Sequence, residues 1–324
     1  MKIRKKYIFL ILFIMVLASS LLLIKDGSKK KVTIYDVAVI IRGKNSEEWS
    51  IMKAGMEQAS SEMNVNLRFI TLLEENSVEE QIEILEREVS SGTDAILISP
   101  ADYKEMSKLI ENINKKTPIV LFESNIDTKQ DISYISCDNY KLGQQLAEEV
   151  AQNGNTRNNI VIVESDLTYS SVKERYAGFI DEISKSKNTY ETVEFPIDES
   201  NLYNNIRGLM EDNKVDVIVA FEANTLEAIG KAKKYVINNL NVPSNIEVYG
   251  TGRTSTIISL IEEKMINAIA IQNEFNVGYL SVKTAINKLE NKKNDSKINI
   301  TSTLINSRNM YSEENQKMLF PIVR

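Results

Sequence analysis

The chain has 324 residues with 39 basic and 45 acidic side chains, one cysteine and no histidine. Without histidine there is no histidine general base, no Ser-His-Asp triad and no histidine metal ligand, and a lone Cys137 excludes an internal disulfide and a multi-cysteine zinc site. Beyond position 31 the chain carries 31 basic against 44 acidic side chains, a balance that repels a phosphate backbone, so neither DNA nor RNA is an expected partner.

From the N-terminus, residues 1–6 are a basic head, and 7–24 (YIFLILFIMVLASSLLLI) carry no charge. At 1.5 Å per residue this stretch approaches the ~30 Å hydrocarbon core and is expected to enter a membrane. Val16-Leu17-Ala18 would serve a signal peptidase, yet apolar residues resume over 21–24. The reading is an uncleaved anchor, with a cleaved signal peptide as the alternative. Residues 25–33 form a polar tether, and the small head with a large body places the head inside and the body on the extracytoplasmic side. No cysteine lies near the segment to carry a lipid.

Apolar runs then alternate with amphipathic segments. The runs cover 37–41, 67–72, 95–99, 119–122, 160–163, 192–195, 217–221, 246–249 and 268–271. Unbroken Val/Ile/Leu runs fit strands buried on both faces of a parallel sheet. Between them, Ser77-Val78-Glu79-Glu80 reads as a capping box opening a helix with Ile82, Leu85 and Val89 on one face. Similar stripes are Met52, Met56, Ala59 and Met63, and Leu142, Leu146 and Val150. The βαβα pattern occurs in both halves, giving an α/β fold of doubly wound parallel sheets, with an irregular tail after Met310.

Ligands of open parallel sheets bind beyond the carboxyl ends of the strands. This directs attention to 42–49, 100–103, 123–125, 137–139, 165–175, 222–224, 251–253 and 272–274, which supply carboxylates, amides, guanidinium groups and the single tryptophan. Neither G-x-G-x-x-G nor G-x-x-x-x-G-K-[ST] occurs, so no nucleotide cradle is expected, and no cofactor. Asp102 reads as a helix cap, Asp138 as a hinge residue, and Cys137 as a small semi-buried hydrophobe.

Seven segments in order, NSEEWSIMKAGMEQA (45–59), AILISPAD (95–102), TPIVLFES (117–124), ISCDNYKLGQQLAEEV (135–150), KERYAGF (173–179), VAFEANTLEAIGKA (219–232) and AIAIQNEFNVGYLSV (268–282), resemble the type I periplasmic binding proteins. The likeness is to the ribose/galactose-like sugar-binding branch that shares its fold with LacI-type repressors, and it covers about 33–310. It implies two lobes, 34–138 with 273–297 and 139–272 with 298–310, joined by a hinge crossing at 137–140, at 271–274 and near 298, with 311–324 as tail.

The resemblance places Trp49 where an aromatic stacks on the sugar ring and Glu123 where a carboxylate accepts from sugar hydroxyls. It makes Arg175 the arginine of the R-x-x-G-F motif, Asn224 the amide after a second-lobe strand and Gln272 the amide at the last hinge crossing. Gly252 stands where such proteins commonly have aspartate, Arg253 follows it, and Ser124 replaces a frequent arginine. An anionic relative of a sugar, held by Arg253, is therefore an alternative to a neutral monosaccharide.

The implied function is an extracytoplasmic receptor that closes over a small sugar-like ligand and acts with a membrane sensor of the histidine kinase kind. The alternative is the binding component of an ABC sugar transporter. A repressor would need a helix-turn-helix where the apolar segment lies, and catalysis by Asp102, Glu123 or Asp138 is not expected.

Overall fold

The computed structural model describes residues 13–15, 33–43, 46–152, 154, 158–163, 166–195, 199–211, 215–240, 245–293 and 295–320. The chain divides into 1–34 and Tyr35–Arg324. Except for 13–15 and 33, the expected head, membrane segment and tether lie outside the described residues. Among the described residues no helix is long and apolar enough to cross a membrane.

Within Tyr35–Arg324 two six-stranded sheets form. The first has the order β11-β5-β4-β3-β1-β2, from β1 (Tyr35–Ile40), β2 (Val65–Ile70), β3 (Ala95–Ile98), β4 (Ile119–Phe122), β5 (Ser133–Cys137) and β11 (Lys297–Ile300). The second has the order β12-β10-β9-β8-β6-β7, from β6 (Asn159–Val163), β7 (Thr189–Val193), β8 (Val217–Ala220), β9 (Glu247–Thr251), β10 (Ala268–Gln272) and β12 (Ser302–Asn306). All pairings are parallel except that of β12 with β10.

The unbroken apolar runs have the expected cause. In β1, Val37 and Val39 enter one core while Ala38 and Ile40 enter another on the opposite face. In β6, Val161 and Val163 divide in the same way from Ile160 and Ile162. Period-two alternation persists, but both faces are dry.

The same helix-crossing device appears in each lobe. Helix α1 (Glu47–Met63) meets α9 (Glu274–Leu289) so closely that a Cβ on Gly55 would lie 2.0 Å from Phe275 O and one on Gly278 1.9 Å from Met52 O. Helix α4 (Asn139–Gln152) meets α5 (Ser170–Ile183) with Gly143 facing Arg175 O and Gly178 facing Tyr140 O, each at 2.0 Å. Only glycine permits such backbone contact, so the glycines in the family-like segments fix the helices that carry cleft residues.

Helix α2 (Val78–Ser90) opens as expected, with Glu80 N–H donating to Ser77 Oγ at 3.2 Å. The reciprocal half of the box differs: the Glu80 carboxylate accepts from the amides of Leu73 and Glu74 and so ties down the preceding loop. Three strands escape the sequence reading. Strand β5 (SYISC) has serines in the run, and β11 and β12 are short and polar. Because β11 pairs with β5 in the first sheet, the third crossing lies at Thr301, past the expected position near 298. The tail is not irregular over Glu313–Leu319, which forms α10, with Leu319 in the second lobe's core.

Candidate ligand cleft

The strand ends of the two lobes face each other across a cleft of about 1050 Å³, at the upper end of the range for small-molecule sites. The lobes touch on both rims. On one, Glu47 accepts from Ser255 N and Oγ, and Glu48 accepts from Arg253 N at 2.7 Å. On the other, Tyr103 N donates to Thr168 O, and Ser124 and Asn125 bond to Ser170. On the first rim carboxylates of the first lobe meet N–H and O–H donors of the second, and on the other rim first-lobe amides donate to second-lobe oxygens.

Glu123 is the best-connected group in the cleft. It follows β4 with φ +63°, a left-handed conformation that costs a non-glycine residue about 1 kcal/mol or more. Its carbonyl is held by Tyr134 Oη at 3.0 Å and Ser136 Oγ at 3.1 Å. Its carboxylate accepts from Arg42 Nη2 at 3.2 Å, Ser99 Oγ at 3.0 Å and, across the cleft, Ser171 Oγ at 2.8 Å. Burial works to raise its pKa, but Arg42, Arg175 and the two serine hydroxyls hold it below the ordinary carboxylate value. Arg42, absent from the sequence-based set, also crosses the cleft, its guanidinium 3.5 Å above the Tyr169 ring centroid. Burial disfavours its charge, yet Glu123, Tyr169, Glu222 and Asp166 together raise its pKa.

Arg175 and Gln272 line the cleft and are wired into the hinge. Arg175 Nε donates to Asn139 Oδ1 at 2.8 Å, and Nη1 reaches Phe221 O and Thr251 Oγ1 at 3.4 Å. Asn139, fully buried, bonds in turn to Ser136 Oγ. Gln272 Oε1 accepts from Cys137 N at 3.1 Å, joining two crossings. Cys137 itself is inert: burial pushes its thiol up to about 11. Asp138 caps the amide of Lys141, and Asp102 accepts from the amides of Lys104 and Glu105.

Trp49 is 7% exposed. Phe122 stacks on it at 6.0 Å and 19°, and Phe69 meets it edge-on. With one face taken, the ring is as much first-lobe core as cleft wall. Asn224, on the first turn of α7 (Ala223–Leu240), is exposed and lines the cleft.

Arg253 departs from the expected arrangement. It is not among the residues lining the cleft. Its Nε donates to Leu319 O at 3.0 Å and Nη2 bonds to the same oxygen. A carbonyl at the end of α10 has no intrahelical donor, and the guanidinium supplies one. The reading of the tail as irregular concealed this partner.

Sequence reasoning also missed Glu48, Glu222 and Glu274, which line the cleft. Burial raises the pKa of all three, that of Glu274 to about 8, with Glu48 raising that of Glu274 further and Glu123 that of Glu48. All three lay within the strand-end segments singled out from sequence, next to residues chosen instead.

The model of the family described as "Periplasmic binding protein domain" matches residues 37–293. The chain belongs to this family. The ribose import binding protein RbsB of Bacillus subtilis is 22% identical over 269 residues, covering 83% of this chain and 85% of that protein. A carbohydrate transporter solute binding protein from Agrobacterium radiobacter, solved in complex with D-arabinose, has a TM-score of 0.81 at 21% identity, covering 89% of this chain and 100% of that one. The XylFII–LytSN complex contains a chain of the same fold, with a TM-score of 0.75 at 21% identity, covering 85% of this periplasmic binding protein and 99% of that chain.

Proposed function

We propose that this protein is an extracytoplasmic receptor whose two lobes close over a small sugar-like ligand. The observation carrying this reading is the cleft itself: Glu123, Arg175, Gln272 and Asn224 converge on it beside the Trp49 edge. A polyhydroxylated ring donates and accepts hydrogen bonds around an apolar face, and such a ligand needs this mixture. The hinge connects ligand to closure, because contacts made by both lobes exist only in the shut form. The names of the relatives, which speak of ribose and of carbohydrate transport, support the same class.

The partner is a membrane sensor, with an ABC permease as the second reading. Support for the sensor comes from the uncharged 7–24 segment, read as an anchor, and from the likeness to a chain solved with LytSN. Support for the permease comes from the import and transport names. A thermal-shift panel of pentoses, hexoses and polyols tests the receptor reading, since a ligand that binds only native protein raises Tm. No shift with any of them would reject it. Co-purification from detergent extracts separates the partners: a kinase supports the sensor, a permease with its ATPase rejects it. Alkaline carbonate extraction with N-terminal sequencing tests the anchor, which a soluble product starting near Ser19 would refute.

A further inference from the structure

We propose that the ligand is an amine-bearing sugar whose ammonium group is held between Glu48 and Glu274, beside Trp49. The inference rests on the sugar-receptor reading and narrows it. Glu48 stands on the first turn of α1 and Glu274 opens α9. Both line the cleft, and Glu274 is 5% exposed. Glu48 Oε1 accepts from Arg253 N, whereas among the described residues the Glu274 carboxylate meets only the amide of its own residue.

The arginines nearby hydrogen-bond elsewhere, Arg42 to Glu123, Arg175 to Asn139 and Arg253 to Leu319 O, with Arg42 Nη1 and Arg253 Nη1 buried and without a partner among the described residues. Among the described residues no lysine or arginine forms an ion pair with Glu48, Glu222 or Glu274. Two buried carboxylates without an ion-pair partner are costly even with Arg175 and Arg253 acting on them at longer range, and an ammonium group supplies both a charge and three donors. The groups acting on Glu274 are Glu48, Arg253 and Arg175, with the protonated Cys137 at the hinge. Burial and Glu48 raise the Glu274 pKa, which is the condition a bound cation would relieve. The same surroundings disfavour a sugar phosphate or sugar acid.

Calorimetric titration of the full chain at pH 7 with D-glucosamine, D-glucose, N-acetyl-D-glucosamine and D-glucose 6-phosphate, and with the galactose series, tests this. The amino sugar of one series should bind about ten-fold or more tighter than its neutral parent, a difference of ~1.4 kcal/mol. The N-acetyl form should lose that gain, and the phosphate should not bind. Glu274→Gln should bring amino and neutral sugars to within about two-fold of each other, with Glu48→Gln as an independent second variant. A neutral parent binding as tightly as the amino sugar, or a preference that survives in both variants, would overturn the proposal and leave the receptor reading intact. Silence from all of these sugars, with cooperative melting retained, would overturn the proposal, and the receptor reading falls with it only if the pentose, hexose and polyol panel gives no thermal shift either.

Discussion

Glu123 and Glu274 are carboxylates in one cleft, both largely removed from water, and their surroundings drive them in opposite directions. Glu123 has a guanidinium and two hydroxyls within hydrogen-bonding reach, one of them from the other lobe, so its charge survives burial. Glu274 is acted on by Glu48 and has no ion-pair partner among the described residues, so burial and that carboxylate raise its pKa. Burial alone therefore does not assign a role to an acidic residue in a cleft. The donors around it do.

The largest expected effect breaks the Glu123 end. Glu123→Ala removes three side-chain hydrogen bonds and leaves Arg42 without its ion-pair partner, which should cost about 3 kcal/mol or more in chemical denaturation. Glu123→Gly loses the same contacts but relieves the left-handed backbone, and should be less destabilised than the alanine variant by about 1 kcal/mol. Equal stability of the two would remove backbone strain from the account.

The second contrast is in pH. The folded-state pKa of Glu274 lies above its unfolded value, so native protein binds more protons between about 4.5 and about 8. Stability from this group is full below that window and falls as pH rises through it, with Glu48 acting in the same sense. Glu274→Gln should be more stable than the parent at pH 8, by a few kcal/mol, and the gap should close towards pH 4. Glu123 has the opposite sign: its contribution is present above its unfolded pKa and is lost as pH falls through the depressed folded value. A gap for Glu274→Gln that widens on acidification would contradict the assignment.

The sequence displayed the sheets well because strands covered on both faces need unbroken apolar runs, as in 217–221 and 268–271. It hid β5, where Ser133 and Ser136 interrupt the run, and Ser136 is there to hold the Glu123 carbonyl. Six of the eight segments reached by the strand-end rule line the cleft, 100–103 and 137–139 standing outside it, but choosing within them depended on orientation. Arg253 was preferred to its neighbours as a potential anion holder, whereas its side chain turns to Leu319 O. The resemblance points to Gln272 and Asn224 and passes over Glu274 and Glu222, each two positions away, and isolated carboxylates on an acidic body carry no periodic or spacing signal. Which of them lose their water is decided by the approach of the other lobe.

The smallest effect concerns Arg253. Arg253→Ala should cost about 1 kcal/mol by freeing the end of α10, and should leave affinity for a neutral sugar within about three-fold of the parent, since only its backbone amide meets a cleft residue. A large loss of sugar affinity with unchanged stability would return the guanidinium to the ligand.

The cleft holds the chain's only tryptophan, so intrinsic fluorescence reads the central claim, that ligand enters between the lobes at the Trp49 edge. Titrating the full chain with a sugar identified by thermal shift should give a saturable change in Trp49 emission at the calorimetric affinity. Calorimetric binding without any change in that emission would place the ligand elsewhere and contradict the account.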